Sequence, residues 1–309
     1  MSHFPDFATF QELAREHQLV PVWRCLFSDA LTPVTAFHRI DNGRSACLFE
    51  SVIGGEKVGR YSFLAADPFL ELSATRNVVT VVSEGTREQY EAVDPLEEIR
   101  KRLAEFKAAH LPNLPPFAGG AVGYAGYDVV RYTENLPNAP EDDRGLPDLC
   151  FGFYDHMAVF DNVSKTMFVI AMAHIDESGA NAEAAFDDAK RRVDALVEQL
   201  STPTDALPVA DIDTSGVPEI PYRSNFKQAD FEDAVRKCVE YIRAGDIFQV
   251  VISQRLELDI KSDPFEIYRT LRVVNPSPFM FFVRSSEVTL VGSSPEIMCR
   301  VMDGKVTVR

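Results

Sequence analysis

The chain is short of positive charge. Its 309 residues carry 31 Lys and Arg against 47 Asp and Glu, a formal net charge of −16, and the isoelectric point is about 4.8. No basic run exceeds the three residues of Arg100-Lys101-Arg102 and Lys190-Arg191-Arg192, and an acidic balance repels phosphate backbones, so nucleic acid is not an expected partner. The same balance offers no overall field to gather an anionic substrate. Such a ligand needs a local arginine or a bound metal. Cysteine is sparse as well: Cys25, Cys47, Cys150, Cys238 and Cys299 are scattered, odd in number and never in a Cys-x-x-Cys pair. That spacing gives neither a zinc site nor a disulfide framework and suits a reduced, cytoplasmic compartment. The six histidines show no metal-ligand spacing. No apolar run approaches the roughly 20 residues of a membrane span, and the start MSHFPDFATF has no signal-peptide core, so no membrane association is expected.

What is present suggests two domains, because 309 residues exceed one ordinary core. The expected division is an N-terminal domain over 1–200, a linker over 201–222 rich in Pro, Ser, Thr and Asp, and a second domain over 223–309. Asp94-Pro95-Leu96-Glu97 reads as a helix start, with Asp94 capping and Glu97 reaching back. Leu96, Ile99, Leu103 and Phe106 then share one face at helical spacing. Met157 to Phe160 and Met167 to Ala173 flank a turn and predict a hairpin. An alanine-rich stretch from about 180 to 200 predicts an exposed helix. Phe231, Val235, Cys238 and Ile242 form a helical stripe that ends at Ala244-Gly245. From Ile247 to Ile260 apolar and polar residues alternate, which predicts a half-buried strand with Gln249, Ser253 and Arg255 on its polar face. Further strands are predicted over 279–284, 288–292 and 305–309, with Asp303-Gly304 as a turn. Strands joined by short turns imply antiparallel sheets with helices packed outside, an α+β fold.

Three segments carry the functional signal. Asn275-Pro276-Ser277-Pro278 feeds the apolar run Phe279-Met280-Phe281-Phe282, and the two prolines hold Asn275 and Ser277 extended. Gly292-Ser293-Ser294-Pro295-Glu296 then delivers a carboxylate from a tight corner. Leu48-Phe49-Glu50-Ser51 ends an apolar strand on a carboxylate and a hydroxyl, suited to gripping an ammonium group. The plainer reading of Glu50 is a strand end that pairs with Arg60 or meets water. The glycine-rich run from Phe117 to Asp128 lacks the Gly-Lys-Ser/Thr ending of a nucleotide loop. Its glycines and tyrosines read instead as close approach of backbones between packed strands.

Taken in order, these motifs resemble the large subunit of anthranilate synthase. That family carries Leu-Leu-Glu-Ser and Asn-Pro-Ser-Pro-Tyr-Met-Phe in a regulatory tryptophan site; here Phe49 stands for the second leucine and Phe279 for the tyrosine. The resemblance implies the chorismate-binding fold, with two stacked antiparallel sheets, and the conversion of chorismate and ammonia to anthranilate and pyruvate. It implies a glutamine amidotransferase subunit as ammonia source, Mg²⁺ on the substrate carboxylate, and inhibition by L-tryptophan. The tryptophan site would comprise Glu50, Ser51, Asn275, Pro276, Pro278, Phe279 and Met280, with Met280 a soft surface for the indole. The catalytic candidates are Gln249 and Glu296. Similar enzymes that add water to chorismate carry a lysine base at the position of Gln249; a glutamine cannot take the proton, which fits ammonia as nucleophile.

Family members continue with segments that hold a catalytic histidine and metal-binding glutamates, so the metal ligands are expected beyond Arg309 and the chain alone is expected to be inactive. Two alternatives stay open: aminodeoxychorismate synthase, and a non-catalytic tryptophan-binding module.

Overall fold

A computed structural model describes all residues except 1, 53–58, 177, 205–206, 217–218, 303 and 309. By contact the chain forms two units, Met1–Ala210 with Pro264–Arg309, and Asp211–Asp263. The expected N-terminal domain, 1–200, lies inside the first unit, and the expected 223–309 is divided between the two.

In the first unit the N-terminal strands are β1 (Leu19–Phe27), β2 (Ala46–Glu50), β3 (Tyr61–Ala66), β4 (Leu70–Thr75), β5 (Val78–Ser83) and β6 (Thr86–Glu91). They are followed by β7 (Gly120–Ala125), β8 (Leu149–Tyr154), β9 (His156–Asp161) and β10 (Thr166–His174). Among its described residues the second unit holds a two-residue pair, β11 (Arg223–Ser224) with β12 (Leu256–Glu257). Beyond it come β13 (Phe279–Arg284), β14 (Thr289–Ser294), β15 (Cys299–Met302) and β16 (Lys305–Val308). Seven strands form one sheet in the order β1-β10-β9-β3-β2-β13-β14, five form a second in the order β6-β5-β4-β8-β7, and β15 pairs with β16. Every pairing in both large sheets is antiparallel.

Strand alternation decides where the core sits. One face of the larger sheet, through Val22, Leu48, Leu64, Phe160, Val169, Met280 and Phe282, packs under four helices. These are α1 (Phe7–Leu13), α2 (Pro33–Ile40), α4 (Ala182–Ser201) and α6 (Pro264–Val274). The opposite face, through Trp23, Cys47, Val159 and Val283, meets Tyr154 and Val122 of the smaller sheet. That sheet is covered in turn by α3 (Pro95–Ala104), whose Ile99 is buried among Leu72, Val79 and Phe153. The architecture is the expected one of antiparallel sheets with helices outside.

The glycine run is structural. In β7, a Cβ on Gly123 would fall 1.9 Å from the carbonyl oxygen of Cys150 in β8, so only glycine permits that approach. The expected hairpin is β9–β10.

Several local expectations fail, one to a local ion pair and others to tertiary packing. Glu97 does not reach back to the helix start: Asp94 alone caps α3, accepting from the Leu96 amide, while Glu97 holds Arg100. Leu103 turns to solvent. Helix α4 is amphipathic rather than exposed, burying Phe186, Ala189, Val193, Leu196 and Leu200 against the larger sheet. The stripe of α5 (Gln228–Ala244) is present and ends at Gly245 with φ 83°. The strand expected from Ile247 to Ile260 is not formed beyond β12, and Phe248 is 93% exposed. Alternation marks a strand only where a neighbour supplies the ladder, and among the described residues of the second unit only Arg223 and Ser224 do. Of the predicted Asp303-Gly304 turn, Asp303 lies outside the described residues, and Gly304 has φ 71° between β15 and β16.

Asp161, at the end of β9, ties the hairpin turn to β3. Burial opposes its charge, but the Arg60 guanidinium and the amides of Ser164 and Val163 outweigh that and hold its carboxyl at about 2. A carboxyl depressed in the folded state stabilises the fold above its unfolded pKa of 3.8, and that contribution is lost as pH falls toward about 2. Asp161→Asn should therefore lower the urea midpoint at neutral pH, and the gap to the unmodified chain should narrow between about pH 5 and about pH 3. A gap that stays constant over that range would contradict the assignment.

Candidate functional site

Strand β2 brings the two halves of the sequence signal together. It pairs with β13 so that Glu50 lies directly opposite Met280, Phe49 opposite Phe281 and Leu48 opposite Phe282. Just past the strand, the Val52 amide donates to the Ser277 carbonyl over 3.2 Å. Ser277 is buried, and its hydroxyl accepts from the Phe279 amide at 3.2 Å. The Asn275 amide closes α6 by donating to the Leu271 carbonyl, and the Asn275 carbonyl accepts from the Ser293 hydroxyl at 2.6 Å. The double-proline segment is thus pinned between α6, β14 and the end of β2. Ser51 is half-buried beside it, and Phe279 pairs with Ser294 across β13 and β14.

Glu50 is buried, and its partners come from α6. The Tyr268 hydroxyl donates to its Oε2 at 2.6 Å, and Arg272 Nη2 donates to Oε1 at 3.1 Å. Arg272 Nε also lies 2.8 Å from Oε2, yet its N–H is not aimed at an acceptor, so that donor has no hydrogen bond. Tyr268 is fixed by a ring stack on Phe265 at 6.0 Å and an edge contact with Phe282 at 6.1 Å. Burial, then the charge of Glu50, pushes its phenol far above the ordinary range, so it remains a donor at every working pH. The expected partner, Arg60, instead holds Asp161.

Tyr268 and Arg272 were not anticipated from sequence. The signal was available in Asp263-Pro264, a helix start, followed by Phe265, Tyr268 and Leu271 at helical spacing. What no local pattern supplies is the partner, since Tyr268 and Glu50 are 218 residues apart.

Gln249 and Glu296 are placed differently. Gln249 lies in the second unit on an irregular, exposed segment, not on the polar face of a strand. Glu296 is exposed in the first unit, two residues beyond β14, where its carbonyl accepts from the Ser294 hydroxyl at 3.3 Å. Among the described residues no group of three or more His, Cys, Asp or Glu could hold a metal ion. The Mg²⁺ implied by the resemblance therefore finds no ligand set in them. None of the described helices is long and apolar enough to cross a membrane.

A family profile described as chorismate binding enzyme matches residues 47–309, a stretch that begins in β2 and includes every segment above. The chain belongs to the chorismate-binding enzyme family. Among its relatives, anthranilate synthase component 1 of Acetivibrio thermocellus is 39% identical over 98% of this chain and 61% of the relative. The chloroplastic anthranilate synthase alpha subunit 2 of Arabidopsis thaliana is 40% identical, over 98% of this chain and 52% of its own length. The crystal structure of anthranilate synthase component I from Streptococcus pneumoniae superposes with a TM-score of 0.64 at 30% identity, covering 92% of this chain and 60% of that one. The chain thus spans between about half and three-fifths of the length of these members of the family.

Removing Glu50 leaves the buried Tyr268 hydroxyl without its acceptor and Arg272, 29% exposed, without its counter-ion, at roughly 2–4 kcal/mol together. Glu50→Ala should destabilise the chain by about that amount in a urea titration. Tyr268→Phe should cost only about 1.5–3 kcal/mol, because Arg272 still compensates the carboxylate. Equal and small losses would mean that the pair does not form.

Proposed function

We infer that this chain is the chorismate-binding large subunit of an anthranilate synthase over the length it spans, and that its first unit carries a regulatory site for L-tryptophan. The observation that carries the reading is the pairing of Glu50 with Met280, which puts an acidic strand end beside the double-proline segment on one sheet. The names of the relatives favour this reading over aminodeoxychorismate synthase. In the regulatory site Glu50 and Ser51 would hold the ligand ammonium, the backbone of Asn275 to Pro278 would fix its orientation, and Phe279 would offer apolar surface to an indole; Met280, on the other face of β13, is buried in the helix-side core and would have to be uncovered to do the same.

In the reaction, chorismate and ammonia give anthranilate and pyruvate, and a partner amidotransferase subunit releases the ammonia from glutamine. Gln249 contributes a neutral amide where a water-adding enzyme needs a basic lysine. Ammonia carries its own nucleophilic lone pair and requires no such base. Glu296 would lie close to the substrate ring.

Calorimetric titration of the purified chain with L-tryptophan tests the regulatory half of the proposal. Saturable one-to-one binding is expected, weakened about tenfold by Ser51→Ala through loss of one hydrogen bond to a charged group. A chain that melts cooperatively yet shows no saturable heat would overturn the tryptophan assignment.

A further inference from the structure

Glu50 already accepts from Tyr268 and Arg272, so a ligand ammonium that reaches it must share the carboxylate with them or replace one of them. Its side chain is 4% exposed against 29% for Arg272, so the accessible side of the pair belongs to the arginine. Tyr268 is rigidly packed and wholly buried. Arg272 is held less well: it sits in the last turn of α6, and one of its two close nitrogens is misaligned and without a hydrogen bond. A buried carboxylate demands a cation beside it, but any well-placed cation will serve.

We propose that Arg272 is a displaceable stand-in for the ligand, so that an α-amino acid binds by exchange, its ammonium replacing the guanidinium on Glu50 while Tyr268 keeps its hydrogen bond. The proposal rests on the reading of this region as an amino-acid regulatory site and adds the step by which the site opens. The empty state is kept folded by an internal cation of the same charge as the ligand's. Binding then leaves the charge around Glu50 unchanged and frees the last turn of α6, three residues before Asn275. It thereby loosens the helix that directly follows the 211–263 unit in the chain. Regulation is carried by the release of the last turn of that helix from Glu50, while Tyr268 holds the rest in place.

Exchange makes a prediction opposite in sign to that of a structural arginine. If Arg272 competes with the ligand, the apparent affinity is reduced by the fraction of molecules in which the pair is closed, and removing the competitor removes that reduction. Arg272→Met keeps the length of the stem and deletes the charge. Without ligand this variant should melt lower than the unmodified chain. It should nevertheless bind L-tryptophan at least about tenfold more tightly. Arg272→Lys, which keeps the charge but loses the forked geometry, should fold readily and give an intermediate gain. In the unmodified chain, tryptamine should compete with L-tryptophan, and indole-3-propionate, which has no ammonium, should not.

If the unmodified chain binds L-tryptophan and both variants bind it equally or more weakly, Arg272 stays on Glu50 in the complex and the exchange is wrong. If none of the three chains, each melting cooperatively, binds L-tryptophan, the amino-acid reading itself fails, and the exchange with it. If Arg272→Met does not fold, the lysine variant and the two analogues decide the question alone.

Discussion

The pairing of β2 with β13 is the constraint on which the rest depends. It joins segments far apart in the chain, between the fifth and sixth strands of a seven-stranded sheet, and both faces of the joint are covered. Cross-strand pairs of apolar side chains hold it: Leu48 with Phe282 on the helix side, Cys47 with Val283 on the side of the second sheet. Once that register is set, Glu50 must fall opposite Met280, because a slip of one residue would turn the carboxylate to the other face. Helix α6, which packs on β13 and β14, then has one place from which Tyr268 and Arg272 can reach it.

A carboxylate buried in this way is a poor source of stability, since the cost of desolvating the pair offsets most of the attraction. Its value lies in specification. Glu50 demands two donors from one helix and so fixes where α6 ends and where the double-proline segment begins. The same demand makes the spot a natural place for a ligand cation.

Much of this was legible in sequence. The antiparallel class, the β9–β10 hairpin, the α5 stripe with its glycine stop and the strand after the double proline all follow from local period and turn chemistry. So does the structural role of the glycine run, where Gly123 meets the Cys150 carbonyl. The failures share one cause. The Ile247–Ile260 alternation lacks a neighbouring ladder within its unit. The burial of α4 depends on the sheet formed by β10, just before it, and β1, remote in sequence. The partners of Glu50 are 218 and 222 residues away. Period reveals which face an element could bury; only the assembled sheet decides against what.

The most direct test of the account is amide hydrogen exchange along β2 and β13 in the native chain. If the pairing is the joint of the first unit, the amides of Leu48 to Glu50 and of Met280 to Val283 should open together. Their opening free energies should then agree within about 1 kcal/mol and lie near the global value. Fast exchange across Met280 to Val283 while β2, β3 and β9 stay protected would show that β13 is only loosely added to the sheet. The site built on Glu50 and Met280 would then have no fixed frame.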